Sequence, residues 1–203
     1  MTLYDIKPAF QNLLRPACNT LAKAGVTANQ VTLAAMLLSL TTGTALVLLH
    51  EERWVLSLVP AALLLRMALN AMDGMLAREH RMQSALGGLL NELGDVISDI
   101  ALYLPFGMIA GISPAAVSAA VVLAVLSEMT GVVAVQIGAS RRYDGPMGKS
   151  DRAFAFGLLA LVLCCGPEPG AWANAYLAIV ATLTAVTVLS RARAALAELD
   201  QAG

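Results

Sequence analysis

Asn70 and Asp73 stand three residues apart, and Asn91, Asp95 and Asp99 recur at intervals of four, with Glu92 beside them. On a helix, residues three or four apart share a face, so each group forms a polar stripe rather than a scatter. Carboxylates and amide carbonyls make an oxygen-rich donor set, which suits a hard cation such as Mg2+, Mn2+ or Ca2+. No cysteine or histidine spacing suitable for zinc competes with it. Gly74, Gly87, Gly88 and Gly94 lie among these residues, and small side chains let membrane helices and ligands approach a backbone closely. For Gly88 and Gly94 helix packing is the preferred reading. Structural ion pairing with Arg66 or Arg78 is the alternative role for the acids.

The elements that must position these residues are membrane helices. The chain is 58% hydrophobic and 13% charged, with a mean hydropathy of +0.72, whereas a soluble domain carries about 25% charged residues. The deficit is what a bilayer imposes, since a charge at its centre costs roughly 2.5–3.5 kcal/mol on insertion scales. The net charge of −1 does not single out a partner, and nothing suggests nucleic acid. Met1 to Gly25 lacks the apolar core of a cleavable signal. Cys18, Cys164 and Cys165 form no framework and read as packing residues.

Residues 28–49 contain no charge and are long enough to cross a hydrocarbon core of roughly 30 Å. A second span starts near Trp54 and carries Arg66, Asn70, Asp73 and Arg78. A third runs from about Ser84 to Ile112 with Asn91, Glu92, Asp95 and Asp99. A fourth covers Pro114 to Gly138 around Glu128, a fifth Ala153 to Gly166, and a sixth Ala171 to Ser190. The turn from Arg78 to Ser84 is short, which makes the second and third spans antiparallel neighbours whose polar faces can meet. Before them, Leu3, Ile6, Phe10, Leu13, Leu14, Ala17 and Leu21 recur at helical spacing, as in a helix lying in the membrane interface or one packed on the spans. The expected fold is therefore all-α integral membrane, with six transmembrane helices after an N-terminal interfacial amphipathic helix. Its parts are a cytosolic interfacial helix at 1–26, a membrane domain at 27–195 and a cytosolic tail at 196–203. With six spans, one side collects nearly every basic residue and the opposite loops hold only Arg53, so both termini are expected in the cytosol.

Read from Asn70, the chain is N-x2-D-G-x2-A-R-x8-G-x3-N-x3-D, ending at Asp95. This resembles the CDP-alcohol phosphotransferase signature D-x2-D-G-x2-A-R-x8-G-x3-D-x3-D, matched by Asp73, Gly74, Ala77, Arg78, Gly87 and Asp95. Thr27 to Thr32 is similar to the T-P-N-x-x-T that opens the first span in many members, with Ala28 in place of proline. The segment Leu90 to Asp95 resembles a bacterial branch of the family with Asn at the first and third signature aspartates, here Asn70 and Asn91.

The resemblance implies a phospholipid-synthesis enzyme of the bacterial inner membrane. It would transfer a phosphatidyl group from CDP-diacylglycerol to an alcohol, with glycerol 3-phosphate or another polyol as acceptor, and release CMP. By the same resemblance Asn70, Asp73, Asn91 and Asp95 hold one or two Mg2+ or Mn2+ ions, and Asp95 also acts as the base. Asn29, Thr32, Gly74, Ala77, Arg78 and Gly87 line the cytidine diphosphate site. Two amides replace anions, so a second cation should bind more weakly, with Glu92 or Asp99 as auxiliaries. Positive-inside topology alone accounts for a basic group between Arg141 and Arg152, but family members place a G-K motif there. Arg142, Lys149 and Arg152 would then bind an anionic acceptor, with Glu128 orienting Arg142 or Arg66. Membrane lipids and a second copy of the chain, as a homodimer, are the implied partners. The alternative is a catalytically weakened homologue that binds CDP-lipid without efficient turnover. A transporter is a third reading, but paired broken helices and inverted repeats are missing.

Overall fold

The computed structural model describes residues 3–202, with side chains at 9–201. Among these residues seven α-helices follow one another: α1 (Leu3–Lys23), α2 (Ala28–Leu48), α3 (Leu58–Glu79), α4 (Ala85–Tyr103), α5 (Pro114–Gln136), α6 (Lys149–Cys165) and α7 (Ala171–Ala202). Short 3-10 helices at Arg53–Ser57 and Leu104–Met108 precede α3 and follow α4. Among the described residues there is no strand.

Among the described residues four segments are long and apolar enough to cross a membrane: Ala28–Leu48, Arg53–Glu79, Pro114–Gln136 and Ala171–Gln201. The helices at the other two expected spans, α4 and α6, also depart from their expected bounds. The α-helical part of the third stops at Tyr103, because Pro105 has no N–H to continue the ladder and the chain tightens into 3-10 geometry. The fifth is a helix of 17 residues that starts four residues earlier than expected, at Lys149. There the Gly148 N–H donates to Asp151 Oδ2 at 2.9 Å, which satisfies one donor at the helix entrance. Helix α7 does not end at Ser190 but continues through Arg191 to Ala202.

The chain divides into two compact units. The first comprises the residues up to Thr41 with Ala61–Ser98. Its core joins Cys18 of α1, Ala28 and Val31 of α2, and Met72, Met75 and Leu76 of α3, with Leu14 and Leu21 packed against them. Leu13 of α1 is 75% exposed, so α1 buries one face and presents apolar surface on another. Leu3 and Ile6, expected on its apolar face, lie outside the residues whose side chains are described. Arg15 pairs with Glu79 at 3.0 Å, fastening α1 to the end of α3.

The second unit comprises Thr42–Pro60 and Asp99–Gly203. Here α5 packs on α7, and α6 packs on the Arg53–Ser57 turn. Tyr103 stacks on Phe156 with ring centroids 4.0 Å apart, and Phe106 meets the same ring edge-on. Gly43 of α2 lies so close to the Ala101 carbonyl of α4 that any Cβ would overlap it, the close approach that small residues permit in membrane helices. In both units large apolar side chains such as Leu37, Leu64, Val122 and Ile179 are more than half exposed, a surface suited to lipid rather than water. Cys165 is also exposed, so it is not the packing residue expected from its apolar surroundings.

Candidate active site

The α3–α4 turn brings the two polar faces together. Helix α3 closes with the Met82 N–H bonded to the Ala77 carbonyl, and the chain reverses through Arg81 at φ 58°. Ser84 then caps α4, its Oγ accepting from the Gly87 N–H at 3.0 Å. Across the helices Asn70 Nδ2 donates to Asp95 Oδ1 at 3.2 Å. Arg66, one turn before Asn70, donates to the same oxygen at 3.2 Å and to the Asp95 carbonyl at 3.0 Å. Arg66 is 3% exposed, so its guanidinium is held by this pairing rather than by water. Asp73 is 7% exposed, and its Oδ2 accepts from Thr32 Oγ1 of α2 at 2.8 Å.

Other expected residues of this cluster fall in different surroundings. A Cβ at Gly87 would stand 2.7 Å from Asn29 Oδ1, and one at Gly74 would stand 3.0 Å from the Arg78 guanidinium. Both glycines therefore make room for polar side chains. Gly94 lies in ordinary contact range of Thr32 and Met36, whereas a Cβ at Gly88 would meet nothing within 4 Å, so Gly88 is not a helix-packing residue within this chain. Ala77 and Glu92 are half-buried, and Arg78 is exposed. Asn91, one turn before Asp95 on α4, is also exposed.

A second buried cluster lies entirely in the second unit, and Glu128 of α5 is its hub. Its Oε1 accepts from Arg152 at 2.9 Å and Arg191 at 3.3 Å, and its Oε2 from Arg141 at 3.1 Å. Arg152 also donates to Asp99 Oδ2 at 3.3 Å, Ser127 Oγ at 3.0 Å and the Met147 carbonyl at 3.2 Å. Arg191 further donates to the Ser127 carbonyl. Gly131, one turn after Glu128, leaves the space that the Arg141 guanidinium fills. Arg152 and Arg191 are 1% and 2% exposed. Within this packing Arg152 Nε is a buried donor without a protein acceptor.

This arrangement corrects the expected partner of Glu128. It holds neither Arg142 nor Arg66 but Arg141, Arg152 and Arg191, because its face of α5 turns toward α6 and α7. Arg142 instead grips both oxygens of Asp144 at 2.9 and 3.0 Å and reaches Glu198 at 2.7 Å. That two-point hydrogen bond holds the Asp144 carboxyl below the usual carboxylate range. Lys149 is half-buried at the start of α6. Asp99, four residues beyond Asp95 on α4, is committed to Arg152. Arg66, Arg141 and Arg191 are the residues that sequence reasoning passed over as topology or pairing charges. For Arg66 the available signal was its place inside an apolar span, where a charge marks function by default.

The donor set also bears on a metal. Among the described residues no three His, Cys, Asp or Glu side chains converge as a metal site. The first cluster offers two carboxylates and an amide, hard oxygen ligands that fit a Mg2+ or Mn2+ ion also bound by substrate phosphates.

Two helices joined by a short turn and carrying a carboxylate–amide signature define a class, and comparison with known proteins names it. The family model for CDP-alcohol phosphatidyltransferase matches residues 25–189, and the chain belongs to this family of phosphotransferase enzymes. It is similar to the inner membrane protein YnbA of Escherichia coli (strain K12), with 48% identity over 196 residues, 97% of each chain. Its fold is similar to that of Mycobacterium tuberculosis phosphatidylinositol phosphate synthase (PgsA1). The PgsA1 structure with CDP-DAG bound superposes with a TM-score of 0.74 at 19% identity, covering 89% of this chain and 92% of that one. The structure in complex with manganese and citrate gives 0.75 at 20% identity, covering 89% and 88%.

Proposed function

We propose that this chain transfers a phosphatidyl group from CDP-diacylglycerol to an anionic alcohol and releases CMP. The observation that carries the proposal is the meeting of the signature residues in one unit, with Asp73 held by Thr32 and Asp95 by Asn70 and Arg66. In this reading the acceptor hydroxyl attacks the phosphatidyl phosphorus and the phosphoanhydride P–O bond breaks. CMP leaves with the bond electrons, and Asp95 takes the hydroxyl proton. Asp73, Asp95, Asn70 and Asn91 are the proposed ligands of a Mg2+ or Mn2+ ion, which when bound would neutralise charge on the diphosphate. Asn29, Thr32, Gly74, Ala77, Arg78 and Gly87 are the proposed cytidine diphosphate contacts.

The second unit supports an anionic acceptor. Three arginines face two carboxylates in its buried cluster, and Arg152 Nε points at no protein acceptor. Both features suit a phosphate oxygen. Glycerol 3-phosphate is our first candidate, with Lys149 and Arg142 at the rim and Arg152 behind them. We further propose six spans in the bacterial inner membrane with both termini cytosolic, α1 in the interface, residues 27–195 as the membrane domain, and a homodimer.

Release of CMP from CDP-diacylglycerol across a panel of acceptors tests the reading. Release with one phosphorylated polyol and not with its unphosphorylated form is the expected result. No release with any acceptor favours the weakened homologue, a reading supported by the hydrogen bonds that already occupy Asp95 Oδ1.

A further inference from the structure

Along α3, Arg66, Asn70 and Asp73 stand one turn apart, and the first two converge on the same Asp95 oxygen. A guanidinium almost wholly removed from water is costly in a membrane helix unless a carboxylate meets it, and here it contacts both the side chain and the main chain of Asp95. The amide at position 70 fits that arrangement. It donates to Asp95, whereas a carboxylate there would repel Asp95 unless a cation lay between them. Arginine, amide and aspartate thus form a half-site whose positive charge is part of the protein.

We propose that Arg66 supplies, as a fixed guanidinium, the positive charge that a second divalent ion would bring to Asp95, so this cluster takes a single Mg2+ or Mn2+. The inference rests on the metal-dependent reading above and deepens it. A second dication would sit against Arg66, like charge on like charge. Arginine keeps its proton at every accessible pH, so this counter-charge neither dissociates nor competes for metal. The ion that does bind belongs at the Asp73 end, where Thr32 orients the carboxylate.

The test is a count of bound Mn2+ per chain on the purified full-length protein in detergent. Electron paramagnetic resonance of the unbound ion supplies the count. The wild type should bind one ion. Asn70→Asp/Asn91→Asp, which restores the signature's four aspartates but keeps Arg66, should still bind one. Adding Arg66→Met to that pair should raise the count to two. If the triple variant does not fold, the first two counts still decide. One ion in each supports the proposal, and two ions in the Asp pair overturns it by assigning the limit to the amides. Zero or two ions in the wild type also overturns it. One bound ion without CMP release would sink the enzymatic reading alone, while CMP release with two bound ions would sink this inference alone.

Discussion

Two clusters bury arginine against carboxylate in this chain, and they are built from opposite majorities. In the first unit one arginine meets Asp95 while Thr32 holds Asp73, and amides rather than acids fill the adjoining signature positions. In the second, three arginines share Glu128 and Asp99. The first gathers carboxylate and amide oxygens, which suit a cation, and the second gathers guanidinium groups, which suit an anion. Ion pairing by itself therefore does not distinguish structure from function, since both clusters are paired. What each offers a ligand distinguishes them: oxygen ligands in the first, and guanidinium N–H donors in the second, including the buried Arg152 Nε. Each prediction below alters one cluster or the turn that positions it.

The largest effect is expected at Asp95. Asp95→Asn keeps size and a carbonyl ligand but cannot take the acceptor's proton, and loss of a general base lowers rates by about 10²–10⁴-fold. CMP release should fall by that factor while CDP-lipid binding stays measurable. Asp99→Asn should be milder on turnover, because its carboxylate serves Arg152. The reverse ranking would move the base one turn along α4 and into the arginine cluster.

Next comes Glu128. Its removal leaves the buried Arg152 and Arg191 and the half-buried Arg141 without their shared carboxylate, and breaking a buried pair of this kind costs about 3–5 kcal/mol. Glu128→Gln should lower the thermal unfolding midpoint sharply, with partial recovery on addition of a phosphorylated polyol, which binds only the folded state. Unchanged stability would show that the cluster is hydrated rather than buried. Destabilisation with no recovery by any phosphate would remove the argument for an anion site.

Lys149 probes the same site more gently. Arg152 was expected to bind the acceptor beside it, but with its guanidinium locked among Asp99, Ser127, Met147 and Glu128, Arg152→Ala would report folding first. Lys149→Ala should raise the acceptor's KM about tenfold, the loss of one charge-assisted hydrogen bond. The KM for CDP-lipid should stay as it is. Equal damage to both substrates would assign Lys149 to topology.

How much was legible depended on the kind of signal. Helix lengths and the short turn after Arg78 follow from hydropathy and spacing, and they suffice to predict that Asn70 and Asp95 meet. The partner of a buried charge does not follow in the same way. Glu128 had many arginines to choose from, and the choice is set by the rotation of α5 against α6 and α7, which an evenly apolar helix does not reveal. Asn91 illustrates the converse: it shares the four-residue rhythm of Asp95, yet it is exposed, because a stripe on a helix fixes direction and not depth. Thr32 reached the correct neighbourhood only through the family motif, since a threonine in an apolar span ordinarily bonds its own helix. It does so here with the Ala28 carbonyl as well as with Asp73.

The smallest expected effect lies in the turn that sets the register of the first cluster. Three helices end with the same bond from one residue past the turn back to the carbonyl five before it: Val26 to Leu21, Met82 to Ala77 and Ala139 to Ala134. This ending needs a left-handed residue, which is Gly25 after α1 and Gly138 after α5, but Arg81 after α3. A non-glycine residue in that conformation costs roughly 1–2 kcal/mol, partly offset because glycine has more freedom to lose on folding. Arg81→Gly should therefore raise stability by about 0.5–1 kcal/mol, read as a rise of a few degrees in the unfolding midpoint. CMP release should not change, because the contact between Asn70 and Asp95 depends on the turn's shape and not on its side chain. A stable Arg81→Gly protein with impaired turnover would show that the Arg81 side chain has a role of its own in the reaction. The first cluster's chemistry would then extend into the turn.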